Sequence, residues 1–171
     1  LKGSNIIFPK ISVGATENLI IASSFAKGTT ILSNCAIEPE IKDLVSFLNK
    51  IGCNIRWTSK RSLKIVGVSR IKETSYSVMF DRIEAGTYLV AGAVTEGNLK
   101  ITNVIPNILK TEINILKKIG AKINIKKNEI YILGNKKVKS VNITTAPYPG
   151  FPTDLQAQMM VLLCKANRKS I

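Results

Sequence analysis

Residues 10–14, Lys-Ile-Ser-Val-Gly, place a cation, a hydroxyl and two successive backbone amides directly ahead of an apolar run. Lys10 brings charge suited to a diphosphate, and Ser12 brings a hydroxyl donor. The N–H groups of Val13 and Gly14 stand where the partial positive end of a helix faces an anion. The same residues make an ordinary strand-to-helix turn, with Ser12 or Thr16 as the cap. From the residues alone, capping is the stronger reading. Glu38, Glu40 and Asp43 form an acidic group that could divide acid and base work. Pro39 between them marks a helix start instead, so a structural role is expected. Asp81–Arg82 reads as an ion pair, not a catalytic pair. Asp154 follows Pro152 and Thr153 in the first turn of a helix, where the dipole favours a carboxylate. Glu84 holds the matching place one repeat earlier, so position alone gives Asp154 a structural role.

Several chemistries are excluded within the chain. There is no histidine among the 171 residues, which removes the usual general base and the commonest metal ligand. Cys35, Cys53 and Cys164 are odd in number and lack CxxC spacing, so neither a disulfide framework nor a zinc site is indicated. Reduced thiols of a cytoplasmic protein are expected, each a small core residue. The net charge of +14 first suggests nucleic acid. The cations are spread along the chain, however, and no aromatics interleave with them as stacking platforms. An anionic small molecule suits the charge equally well. No apolar run approaches the ~20 residues of a membrane helix, and no signal-peptide pattern is read ahead of the first strand. The chain opens at Leu1 and not Met, and it ends at Ile171 without a closing element. Both ends read as cuts.

The elements that must carry these residues come from an internal repeat. Residues 15–67 align with residues 84–134, so that Gly28 meets Gly97, Asn34 meets Asn103, Gly52 meets Gly120 and Gly67 meets Gly134, a period of about 68 residues. In the first copy an apolar helix is expected over 16–26, ended by Gly28 as a left-handed cap. A β-branched strand follows over 29–33. A second helix over 40–51 sets Ile41, Leu44, Val45, Leu48 and Ile51 on one 3.6-residue face, and Gly52 stops it. Strands over 54–57 and 63–66 form a hairpin. The second copy keeps the helical face through Ile113, Leu116 and Ile119, with Glu112 in place of Leu44. A third copy begins at residues 151–164. The helices look apolar nearly all round. The fold class is α/β, and no GxGxxG or P-loop pattern occurs.

Four segments carry a resemblance: residues 10–18 (KISVGATEN), 38–48 (EPEIKDLVSFL), 81–87 (DRIEAGT) and 145–158 (TAPYPGFPTDLQAQ). In this order and spacing they resemble the UDP-N-acetylglucosamine enolpyruvyl transferase (1-carboxyvinyltransferase) family. The resemblance implies an inside-out α/β barrel of two lobes, each built of βαβαββ repeats, of which this chain is a part. Residues 1–80 would be the last repeat of one lobe, on the UDP-binding side. Residues 81–171 would be the first repeat and the start of the next repeat of the second lobe, with the hinge near Asp81.

The implied chemistry moves the enolpyruvyl group of phosphoenolpyruvate to the 3-hydroxyl of UDP-N-acetylglucosamine and releases phosphate, in the first committed step of peptidoglycan synthesis. It needs a base for the hydroxyl proton, an acid for the methylene carbon and cations for the anionic groups. The resemblance makes Lys10, Ile11, Ser12, Val13 and Gly14 the UDP-binding stretch. It makes Asp154 the carboxylate at the sugar 3-hydroxyl, with Thr153 adding a polar contact. No cofactor, metal, nucleic acid or membrane is implied, and the parent enzyme is expected to be monomeric. The family's reactive-cysteine loop, its lysine–asparagine pair and its phosphoenolpyruvate-binding arginines fall outside this chain, so the fragment alone should be inactive. Departures are Ile37 where arginine is frequent, Tyr148 where histidine is frequent, and Asn167 at the place of Gly28. An acceptor other than UDP-N-acetylglucosamine, such as shikimate 3-phosphate, is the alternative.

Overall fold

The computed structural model describes all 171 residues. They fall into two compact units, Leu1–Met79 and Phe80–Ile171. The first runs β1 (Asn5–Ile7), α1 (Val13–Ser24), β2 (Thr29–Ser33), α2 (Pro39–Lys50), β3 (Asn54–Ser59) and β4 (Ser62–Val66). That is the βαβαββ order. The sheet order is β1-β2-β4-β3, with β1 parallel to β2 and the other pairs antiparallel. Side chains alternate across the pleat. Leu32, Leu63, Ile65 and Ile55 are buried beneath the helices, while Arg56 and Lys64 point the other way. Ile41, Val45 and Leu48 of α2 and Ile20 of α1 close this core.

The second unit repeats the pattern from its first helix. It contains α3 (Arg82–Val94), β5 (Asn98–Thr102), a 3-10 turn leading into α4 (Lys110–Ile119), then β6 (Lys122–Lys126) and β7 (Glu129–Leu133). The sheet is antiparallel in the order β5-β7-β6. A 3-10 turn at Thr153–Leu155 then leads into α5 (Gln156–Leu163). Ile113, Leu116 and Ile119 of α4 pack with Leu89, Ile130, Ile132, Leu155 and Leu162 in one buried cluster.

The repeat extends to individual hydrogen bonds. The Gly67 N–H donates to the Gly28 carbonyl at 3.0 Å, and the Gly134 N–H donates to the Gly97 carbonyl at 3.0 Å. Asn34 and Asn103 leave their strands with φ of 61° and 58°, a left-handed turn that asparagine tolerates better than most residues. Gly67 has no room for a side chain, since a Cβ would lie 1.7 Å from the Ala26 carbonyl oxygen.

Several sequence expectations are corrected. Helix α1 spans Val13–Ser24 and not 16–26, because Ser12 starts it and Phe25 is its C-cap. Gly28 is left-handed (φ +93°) but lies beyond the helix. The chain leaves α1 early because Lys27 exchanges hydrogen bonds with Leu1 and Gly3. In the second copy the left-handed residue at the corresponding turn is Glu96 (φ 59°). The helices are not apolar-buried all round: Ile21, Phe25, Met160 and Val161 are exposed. Cys35 and Cys53 are buried, but Cys164 is exposed beyond the last turn of α5.

Candidate functional site

The Lys10–Gly14 stretch forms the loop into α1. Ser12 has extended backbone (φ −141°, ψ 123°) and caps the helix, its Oγ accepting from the Ala15 N–H at 3.3 Å. Its carbonyl accepts from the Thr16 N–H at 3.1 Å and the Thr16 hydroxyl at 2.7 Å. Thr16 in turn accepts the Ala36 N–H at 3.0 Å, which ties the start of α1 to the loop after β2. Lys10, Ser12 and Gly14 are exposed, Ile11 and Val13 half-buried. No acidic side chain occupies the first turn of α1, and the space where a Gly14 Cβ would sit is empty within 4 Å. The Ala15 and Thr16 N–H groups are taken up by Ser12, which leaves the Val13 and Gly14 amides, with helix-dipole charge behind them, as the first-turn donors that suit an anion. The Ser12 hydroxyl caps the helix, as expected, and remains at the surface.

Thr153 and Asp154 lie in the second unit, exposed in the 3-10 turn ahead of α5. Their neighbours Phe151 and Leu155 are 3% and 1% exposed, so two buried side chains bracket two exposed polar ones. Leu155 can sit there because α3 presents Gly86, where a Cβ would come 2.5 Å from Leu155 Cδ1. Gln158 Nε2 donates to Thr87 Oγ1 at 3.0 Å, fastening α5 to α3. Residues 10–14 and Thr153–Asp154 thus belong to different units.

The other acidic groups play mainly structural parts. Glu38 is 4% exposed and accepts the Ile37 N–H at 2.8 Å. Pro39 starts α2 and Glu40 stands in its first turn. Burial, with the charges of Glu40 and Glu38 adding to it, raises the Glu17 carboxyl above the usual range. Asp43 accepts the Tyr76 hydroxyl at 2.8 Å and the Met79 N–H at 3.4 Å, pinning the segment before the unit boundary onto α2. Asp81 Oδ1 accepts the N–H groups of Ile83 at 2.7 Å and Glu84 at 3.1 Å and so caps α3. No three or more Cys, Asp or Glu side chains gather in a metal-binding arrangement. No helix is long and apolar enough to cross a membrane.

The fold and these motifs have known counterparts. The family model described as EPSP synthase (3-phosphoshikimate 1-carboxyvinyltransferase) matches residues 1–170. The chain belongs to that family. It is 72% identical over 170 residues to a UDP-N-acetylglucosamine 1-carboxyvinyltransferase of Pelagibacter ubique, a match covering 99% of the chain and 41% of the relative. It is 46% identical over 171 residues to the protein named UDP-N-acetylglucosamine 1-carboxyvinyltransferase 1 of Caldanaerobacter subterraneus, covering 100% and 41%. The chain thus spans about two fifths of the length of these curated relatives. Among solved structures, the enolpyruvyl transferase NikO from Streptomyces tendae matches with a TM-score of 0.79 at 23% identity, over 90% of this chain and 37% of that one. An EPSP synthase from Acinetobacter baumannii matches with a TM-score of 0.58 at 22% identity, over 96% and 37%. These two matches show the fold alone, the α/β enolpyruvyl-transferase fold.

Sequence reasoning missed one polar group in this member of the family. Arg82, 6% exposed, opens α3 with its guanidinium 5.8 Å from the centre of the Tyr148 ring. Glu112 on α4 is 3% exposed, and burial raises its carboxyl above the usual range while the Arg82 charge pulls it back. Next to it, Thr111 Oγ1 donates to the Pro149 carbonyl at 2.7 Å. The signal was present in the sequence: Glu112 interrupts an otherwise apolar helical face. A buried carboxylate at such a position calls for a cation.

Proposed function

We propose that this chain is part of an enzyme that transfers the enolpyruvyl group of phosphoenolpyruvate to the 3-hydroxyl of UDP-N-acetylglucosamine, releasing phosphate, as the first committed step of peptidoglycan synthesis in the cytoplasm. The observation that carries the reading is the 72% identity over 99% of the chain to a relative with that name. Residues 1–80 would close one lobe and 81–171 open the other, in a monomeric parent enzyme. Lys10, Ile11, Ser12, Val13 and Gly14 would hold the UDP moiety, with open amides and Lys10 facing the diphosphate. Thr153 and Asp154 would meet the sugar. Asp154 would take the 3-hydroxyl proton or hold that oxygen in line for attack on phosphoenolpyruvate. Exposed on a turn between two buried anchors, its carboxylate has the access this role needs. The chain by itself would carry the nucleotide-sugar contacts without turnover.

The test is phosphate release by the intact enzyme from phosphoenolpyruvate with either UDP-N-acetylglucosamine or shikimate 3-phosphate. Turnover is expected with the first acceptor, and turnover with shikimate 3-phosphate alone would replace the reading. Asp154→Ala should lower kcat by roughly 100-fold or more, the usual contribution of a positioned acid or base. Its urea midpoint should stay near the parent's, because the side chain is exposed. A near-normal rate would end the role given to Asp154.

A further inference from the structure

We infer that Thr111 is a positioning residue for Asp154, acting through its hydrogen bond to the Pro149 carbonyl. The inference rests on the reading of Asp154 above. Residues 145–151 fold back on themselves before the 3-10 turn. The Ala146 N–H donates to the Phe151 carbonyl at 2.9 Å, and the Gly150 N–H donates to the Pro147 carbonyl at 2.8 Å. This reverse turn ends at Phe151, and Asp154 is three residues further on, before the buried Leu155. The turn therefore leads directly into the segment that carries the carboxylate. Core packing fixes Phe151 and Leu155 from one side. The outer end, Tyr148–Pro149, needs its own fastening.

Helices α4 and α3 supply that fastening through Thr111 and Arg82. Thr111 donates 2.7 Å to the Pro149 carbonyl. The Arg82 guanidinium at the start of α3 lies 5.8 Å from the centre of the Tyr148 ring. Both contacts join residues far apart in sequence, so they order the turn only once α3 and α4 have packed. The hydroxyl of Thr111 is a positioning group and not a catalytic one. It acts by holding the turn, and a small displacement of a reacting group is costly in rate.

The test uses the intact enzyme with Thr111→Val, which keeps the shape and loses the donor, and Thr111→Ser, which restores the donor. Thr111→Val should lower kcat roughly fivefold, the scale of one lost hydrogen bond, with KM for UDP-N-acetylglucosamine and the kcat of Thr111→Ser within about twofold of the parent. Urea melts of both variants separate rate from folding. A loss of kcat that only follows the unfolded fraction overturns the inference, as does an equal loss in Thr111→Ser. A parental kcat in Thr111→Val beside a slow Asp154→Ala overturns the inference and leaves the proposed function standing. Parental rates in both Thr111→Val and Asp154→Ala remove the role of Asp154 and this inference together.

Discussion

Ser12 caps α1 and also lies in the stretch proposed to hold UDP, and the substitution Ser12→Asp separates the two roles. Aspartate is as good an N-cap as serine, and its charge is favourable at a helix N-terminus. The cap bond it replaces is long, at 3.3 Å. Ser12→Asp should therefore keep the parent's stability within about 0.5 kcal/mol, whereas Ser12→Ala should lose about 1 kcal/mol. Binding should respond in the opposite sense. A carboxylate about 4 Å from a phosphate charge is repelled by about 1 kcal/mol in bulk water and about 4 kcal/mol at an effective dielectric near 20. Ser12 is exposed, so the lower part of that range applies. At roughly tenfold per 1.4 kcal/mol, affinity for UDP-N-acetylglucosamine should fall by about 5- to 50-fold. The loss should shrink as salt screens the charges. Titration calorimetry at two ionic strengths, with urea melts alongside, reads both quantities. Parental affinity in Ser12→Asp at low salt, with an unchanged melt, would show that no anion sits at this helix start.

Two further outcomes follow from buried groups. Burial raises the Glu112 carboxyl in the folded chain, so the native state holds that proton more tightly than the unfolded state. The resulting stability is complete below the unfolded glutamate value of about 4.3 and is lost as pH rises through the folded value. Glu112→Gln lacks this dependence. Its urea midpoint relative to the parent should climb from pH 4 to pH 7, and a constant difference would count against the buried carboxyl. The cysteines should react unequally: burial pushes the Cys35 thiol up to about 11, whereas Cys164 is exposed. Brief iodoacetamide treatment of the native chain should alkylate Cys164 first, with Cys35 and Cys53 modified only in denaturant. Early modification of Cys35 in peptide mass spectra would contradict its burial.

Much of the fold was legible because local periodicity is a direct imprint of burial. The strand expected over 29–33 has those bounds in the structure. The helix expected over 40–51 runs Pro39–Lys50. Ile113, Leu116 and Ile119, read as one face, are 2%, 0% and 2% exposed. The misreadings have different physical sources. The end of α1 depends on Lys27 pairing with Leu1 and Gly3. Asp81, read only as half of an ion pair, also caps its own helix, while the neighbouring Arg82 lies against Tyr148. Cys164 has core-like composition around it, but its place at the end of α5 leaves it in solvent.

By itself, the sequence determined the repeat, the alternation of helix and strand, and the family, because these depend on patterns within a few residues or on motifs in order. The candidate site residues were also named there. Only the tertiary structure decided what surrounds them. It took up the Ala15 and Thr16 amides at Ser12, bracketed Asp154 between Phe151 and Leu155, and brought Thr111 and Arg82 to the turn before Asp154. The physical reason is that the energy of a buried charge or hydroxyl depends on the partner that replaces its water. Here those partners lie some 30 or more residues away, beyond the reach of any local pattern.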